Sequence, residues 1–420
     1  MISAQNHQQL LSGNKIFFSI VFLMILCACS PKIIPPKTAN PSATGTVVIK
    51  PEIGKKASET KTKEVQEMVI SLLIPFELAT LNYQTATLKD LEKAKIAIDF
   101  YQGFKMAVDS VAKNSTVNYK LQVYDSKDDP SQMGILVNKA GVKNSDLIVG
   151  PVFPNGIKAF SGYSKTLQKP VISPLAASDP DVFNNPYLIT INNGIDLHAL
   201  KAATFIKNQL KPKKVILIRS GQADEYKYAI PFKKGMDSLT KGTPFSEIGI
   251  KAVGYENVFK SLNPTGLNVI ILPSTEKVFL QTLFKELDKL RDNFQIAVIG
   301  HPGWEKASFL DEKLLERCNT YITSSYQIDY KATRNLNFIK FYRTQFSLEP
   351  SEYAFKGFDI GFYFAKLMNE KGKDFMSEIT KQPFDGIHNN FTFVKHPQFG
   401  YYNSNLMVLK YQQGQLKNVN

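Results

Sequence analysis

From Met68 onward the chain alternates between two hydrophobic patterns. MVISLLIP (68–75), DLIVG (146–150) and PVIS (170–173) are short apolar runs that read as buried strands, and YKLQVYD (119–125) reads as a further strand. Between the first two, Ala97, Tyr101, Phe104, Val108 and Val111 recur at helical spacing. Asp129, followed by Pro130 and Gln132, is a coherent helix start, because a carboxylate accepts from free backbone N–H groups and proline has none to satisfy. Another helix starts near Asn155. The alternation repeats in PYLITIN (186–192), KKVILIR (213–219), NVIILP (268–273) and QIAVIG (295–300), with helical segments near 197–209, 226–239 and 275–291. Strands alternating with helices of this length predict βαβ units and parallel sheets covered on both faces. About ten such strands predict two sheets, and so two lobes.

The first 67 residues follow neither pattern. Ile16 to Leu26 is apolar apart from Ser19 and follows a polar stretch with one cation, Lys15. At about 11 residues it is too short to span a bilayer as a helix and has the length of a signal-peptide core. It ends in Leu26-Cys27-Ala28-Cys29, which resembles the bacterial lipoprotein box and implies a leader over 1–28 with lipid on Cys29; the plain alternative is ordinary secretory cleavage near Ala28. Ser30 after that cysteine, with no acidic run nearby, resembles an outer-membrane lipoprotein facing the periplasm. Residues 29–67 are rich in Pro, Lys, Thr and Ser and predict a disordered tether reaching about 30–40 Å. With Cys29 lipidated, Cys318 has no partner, so the exported part folds without a disulfide on the strength of its core.

The 420 residues are 43% hydrophobic and 21% charged, which excludes whole-chain disorder, collagen and coiled coil. The net charge of +14 raises nucleic acid as a partner. No basic stripe or recognition motif concentrates it, so the excess reads as a solvated surface. Phosphate loops, nucleophile elbows, zinc-protease motifs and paired cysteines are absent from the sequence. The five His, at 7, 198, 301, 388 and 396, have no metal-ligand spacing. Neither an enzyme nor a metal or cofactor is expected.

The order of strand, long helix, YDSKDDPSQ, DLIVGPV, KPVISPLAAS, PYLITIN, KKVILI, FDIGFYFAKLM and FDGIHNNFTF, over about 68–415, resembles the type I periplasmic solute-binding proteins of the leucine/isoleucine/valine-binding family. The resemblance implies two doubly wound parallel-sheet lobes joined by three crossings, with ligand in the cleft at the strands' carboxyl ends, where helix N-termini suit a carboxylate. It places the crossings near 191–194, 324–330 and 378–386. Lobe 1 then holds 68–191 plus 331–378, and lobe 2 holds 192–330 plus 379–420. Asn192, Asn193 and Gly194 are the expected hinge.

The family's loop after the GP strand offers a hydroxyl. Here it reads Phe153-Pro154-Asn155-Gly156 and leaves only Asn155 and backbone N–H groups, unless Asn155 is a plain helix cap. The loop after ISP keeps Ala177 and Ser178, which also fit a turn around Pro180. Lobe 2 offers Tyr226 after KKVILIR and Ser274, Thr275 and Glu276 after NVIILP; an acid there pairs an ammonium, while Thr275 and Glu276 equally fit capping of the next helix. His301 and Trp304 fall near the cleft mouth. The expectation is a lipid-anchored receptor closing two lobes over a small polar ligand, most plausibly an amino acid or related compound, for transport or sensing. The alternative is an envelope scaffold or regulator of the same fold that binds a protein partner, as lipoprotein activators of peptidoglycan synthases do. The missing hydroxyl and long tether favour that alternative.

Overall fold

A computed structural model describes residues 65–420, apart from 79–81, 83, 128, 177–179, 240–241 and 420. The leader, Cys29 and the tether up to residue 64 lie outside the described residues, as do Ala177 and Ser178.

The apolar runs become two seven-stranded sheets within one unit, Lys63–Asn420. The first contains β1 (Glu67–Ile74), β2 (Asn118–Asp125), β3 (Leu147–Val149), β4 (Val171–Ser173) and β5 (Leu188–Thr190). The second contains β6 (Lys214–Arg219), β7 (Phe245–Gly249), β8 (Asn268–Leu272), β9 (Ile296–Gly300) and β10 (Thr320–Ser324). In space they run β5-β4-β3-β1-β2 and β10-β9-β8-β6-β7, all parallel. Strands β3, β4, β5, β8, β9 and β10 are buried throughout, as strands covered by helices on both faces must be.

Helices fix the layers. The helix Leu88–Ala112 packs against Glu352–Lys371 on the first sheet, and their backbones come so close that a Cβ on Gly357 would overlap the Phe100 carbonyl. Asp129 caps Pro130–Val137 by accepting from Ser131 N–H, while the Gln132 amide reaches the Asp125 carbonyl instead of completing a capping box.

The C-terminal segment corrects the lobe boundaries. After the short hairpin β11 (Phe384–Asp385) and β12 (Asn390–Phe391), β13 (Phe393–His396) and β14 (Gly400–Asn403) extend the first sheet beside β5. Only β15 (Met407–Gln412) and β16 (Gln415–Asn418) join the second, beside β10. The third crossing therefore falls between Asn403 and Met407, not at 378–386. The reason is burial: Phe391 meets Tyr363 edge-on and Phe393 packs tilted against it within the first lobe's core, which holds 379–403 there.

Candidate functional site

The three crossings lie side by side, and neutral amides tie them to one another and to the β11–β12 hairpin. Asn193 Nδ2 donates to the Asn403 carbonyl at 2.7 Å, Asn389 Nδ2 to the Ser325 carbonyl at 2.9 Å, and Asn403 Nδ2 to the Asn390 carbonyl at 2.9 Å. Beside them, at the carboxyl ends of β9 and β10, is a cavity of about 320 Å³. Its walls come from Asn192 and Asn193 of the first crossing, His198 of the helix Ile195–Phe205, His301 to Gly303 with Glu305 and Lys306 after β9, and Ser324 to Tyr326 after β10.

Each wall is positioned by local chemistry. His301 caps its own turn, its Nδ1 accepting from Gly303 N–H at 3.0 Å. Trp304 folds under the turn into the second lobe: its indole N–H donates to the Ser274 carbonyl at 2.8 Å, its ring meets Phe284 edge-on, and it fills the space a Gly300 side chain would need. That anchor directs Glu305 and Lys306 at the cleft. Glu305 accepts from the Ser324 hydroxyl at 3.0 Å, and burial pushes its carboxyl up to about 6. His198 lies 2.9 Å from the Thr323 hydroxyl; burial, helped by His301, holds it at about 3, so it is neutral. Burial lowers His301 as well.

The helix Glu352–Lys371 supplies the opposing side. Glu352 meets Lys306 Nζ at 2.5 Å and accepts from the Tyr326 hydroxyl at 3.1 Å. One turn on, the ammonium of buried Lys356 donates to Asn192 Oδ1 at 2.5 Å and lies 5.5 Å from the Tyr326 ring centre; burial lowers it to about 8. Tyr326 stacks flat on His388 at 4.3 Å. The loop carrying His388 is held by buried Asp359, whose carboxylate accepts from the N–H groups of Ile387, His388 and Asn389 at 2.9, 2.8 and 2.8 Å. Burial pushes that carboxyl up to about 7 although the three donors favour its ionised form.

The residues singled out from sequence divide. Asn192 and Asn193 line the cavity, and Gly194 is the N-cap of Ile195–Phe205. His301 lines it too, whereas Trp304 is core. Asn155 is exposed at the second position of Pro154–Leu167, which Phe153 precedes as N-cap without a side-chain bond. Tyr226 is 45% exposed and lies 4.2 Å from the Arg219 guanidinium. Ser274 is buried against Ser220, and Thr275 is exposed. Glu276 caps Lys277–Leu290, its oxygens accepting from Val278 and Phe279 N–H. None of these five lines the cavity. The sequence reading missed Glu305, Lys306, Tyr326, Glu352, Lys356 and Asp359. A signal existed for two of them: Lys356 and Asp359 are charges three apart on the buried face of an apolar helix.

Among the described residues no group of His, Cys, Asp and Glu is arranged to hold a metal, and no helix is long and apolar enough to cross a membrane. No family model and no curated protein matches the chain. Solved structures do. A putative branched-chain amino acid ABC transporter protein from Rhodospirillum rubrum superposes with TM-score 0.61 at 12% identity, covering 84% of this chain and 100% of that one. An ABC transporter substrate-binding protein from Desulfitobacterium hafniense in complex with Leu gives 0.54 at 13% identity, with the same coverage. One from Sphaerobacter thermophilus gives 0.54 at 14%, covering 84% and 96%. At such identities the likeness is one of architecture, and that architecture, two parallel-dominated α/β sheets of seven strands each, is the type I periplasmic binding fold.

Proposed function

We propose that this protein is a solute-binding receptor of the bacterial envelope, anchored by lipid on Cys29 in the outer membrane facing the periplasm, which encloses a small polar molecule of the amino-acid class for transport or sensing. The observation that carries this reading is the cavity of about 320 Å³ at the strand ends, walled by both the hinge and the second lobe. Its chemistry suits a ligand with an amino group: the Glu305 carboxylate offers an acceptor to such a group, while Lys306 offers a donor to a carboxylate. The structural neighbours support it, since one was solved with Leu bound.

The test is a thermal-shift screen of the purified protein against the amino acids. A ligand at 100 times its dissociation constant stabilises by about 2.7 kcal/mol, and Glu305→Gln is expected to abolish the shift. A mass spectrum of the mature protein checks the lipid. The scaffold reading is favoured by one observation, the exposed Asn155 at the loop where the sequence resemblance implied a hydroxyl; melting unmoved by every solute supports it over the receptor reading.

A further inference from the structure

The two lobes are joined by the three crossings and also by a contact outside them. Lys306 belongs to the second lobe, held by the Trp304 anchor within its turn. Glu352 belongs to the first, at the start of a helix capped by Ser351 and packed along Leu88–Ala112. Each partner is thus fixed to its own body, so their separation reports the separation of the lobes. A carboxylate in the first helical turn is further favoured by the helix's positive end.

Glu352 uses both oxygens across this boundary: Oε1 meets Lys306 Nζ at 2.5 Å, and Oε2 accepts from Tyr326 of the second crossing at 3.1 Å. Four residues on, Lys356 reaches Asn192 of the first crossing. One helix end therefore grips the opposite lobe and two crossings at once. An exposed ion pair alone contributes about 0–1 kcal/mol. Here the Glu352 side chain is only 28% exposed and takes a second, charge-assisted bond from a half-buried phenol, which strengthens the set. Lys306 lines the cavity yet its side chain is 62% exposed, which puts the pair at the cavity's rim.

We propose that Glu352, with Lys306 and Tyr326, forms a latch across the cleft that holds the lobes together and has to release before solute enters the cavity. Opening the lobes by a few ångströms breaks both bonds, so the latch sets the resting balance between open and closed forms. The proposal rests on the lobe geometry and not on the identity of any solute.

Small-angle X-ray scattering without added solute tests it, at about 0.05 M and about 1 M salt, where screening shortens from over 10 Å to about 3 Å. The parent is expected to scatter as a closed form at low salt and to expand at high salt. Lys306→Gln and Glu352→Gln are expected to raise the open population about tenfold, the equivalent of about 1.4 kcal/mol, and to respond no further to salt. Tyr326→Phe, which keeps the stack on His388, is expected to move the same way by less. Circular dichroism and a cooperative melt confirm folding; should Glu352→Gln fail to fold, Lys306→Gln, on an exposed side chain, carries the result. The proposal is overturned if the parent is open at low salt, or if Lys306→Gln and Tyr326→Phe scatter as the parent does at both salts. Because no solute is present, this outcome is separable from the thermal-shift screen.

Discussion

Replacing Asp359 by Ala removes the acceptor for three backbone donors that have no solvent nearby. Ile387 N–H donates to Oδ1, and His388 and Asn389 N–H to Oδ2, with the carboxylate and all three residues buried. A buried donor left without a partner costs about 1–3 kcal/mol, so three cost about 3–6 kcal/mol once some are rescued by entering water. For a domain of typical stability, about 5–15 kcal/mol, that is a large fraction. At a urea slope of about 3 kcal/mol/M it moves the midpoint down by about 1–2 M. The effect extends to the hinge, because the same loop places His388 under Tyr326 and Asn389 on the Ser325 carbonyl. Asp359→Asn keeps one carbonyl acceptor and the side chain's shape, and its midpoint is expected between parent and Ala. Urea unfolding followed by tryptophan fluorescence reads Trp304 in the second lobe, and circular dichroism reads both lobes. An Ala variant within about 0.5 kcal/mol of the parent would refute the assignment of these three bonds as the loop's support.

Gly357→Ala drives a methyl into the Phe100 carbonyl across the helix pair; overpacking of about 1–3 kcal/mol outweighs alanine's helix advantage of about 1 kcal/mol, so the melting temperature falls, and a rise would contradict the close approach. His198 titrates near 3 in the fold against about 6.5 unfolded, so its contribution is present above pH 6.5 and is lost as pH falls. At pH 4.5 the parent should therefore have lost about 3 kcal/mol more than His198→Gln relative to pH 7.5, and equal losses in urea titrations would sink that account. Glu305 goes the other way: raised to about 6, it stabilises below about 4.5 and loses that contribution as pH rises through 6. Glu305→Gln is then expected to exceed the parent by about 2 kcal/mol at pH 7 and to match it near pH 4, and identical stability at both values is the contrary result.

Most of the parallel strands were legible in the sequence because their signal is local. A strand covered by helices on both faces has to be apolar along its length, and VIIL, IAVI and VILI say so without reference to anything distant. The edge strand β7 lacks that signal. FSEIG of β7 is only half-buried, and it went unread, as did TYITS of β10, which is buried but whose Thr and Ser interrupt the apolar run. Caps are similarly local, but the sequence left Glu276 open between a cap and a ligand, since a carboxylate three residues ahead of a helical N–H suits either; only the fold, by pointing both oxygens at Val278 and Phe279, assigned the cap.

Tertiary structure alone decided which sheet the C-terminal strands extend and which side chains meet at the cleft. A strand's hydrophobicity states that it is buried, not against which edge, so the sequence pattern puts β13 and β14 in the wrong lobe, and the packing of Phe391 and Phe393 against Tyr363 decides their place. The site is assembled from residues as far apart as Asn192 and Lys356, and no spacing rule connects them. Their altered proton affinities come from burial, a property of the packed molecule that a linear pattern does not carry.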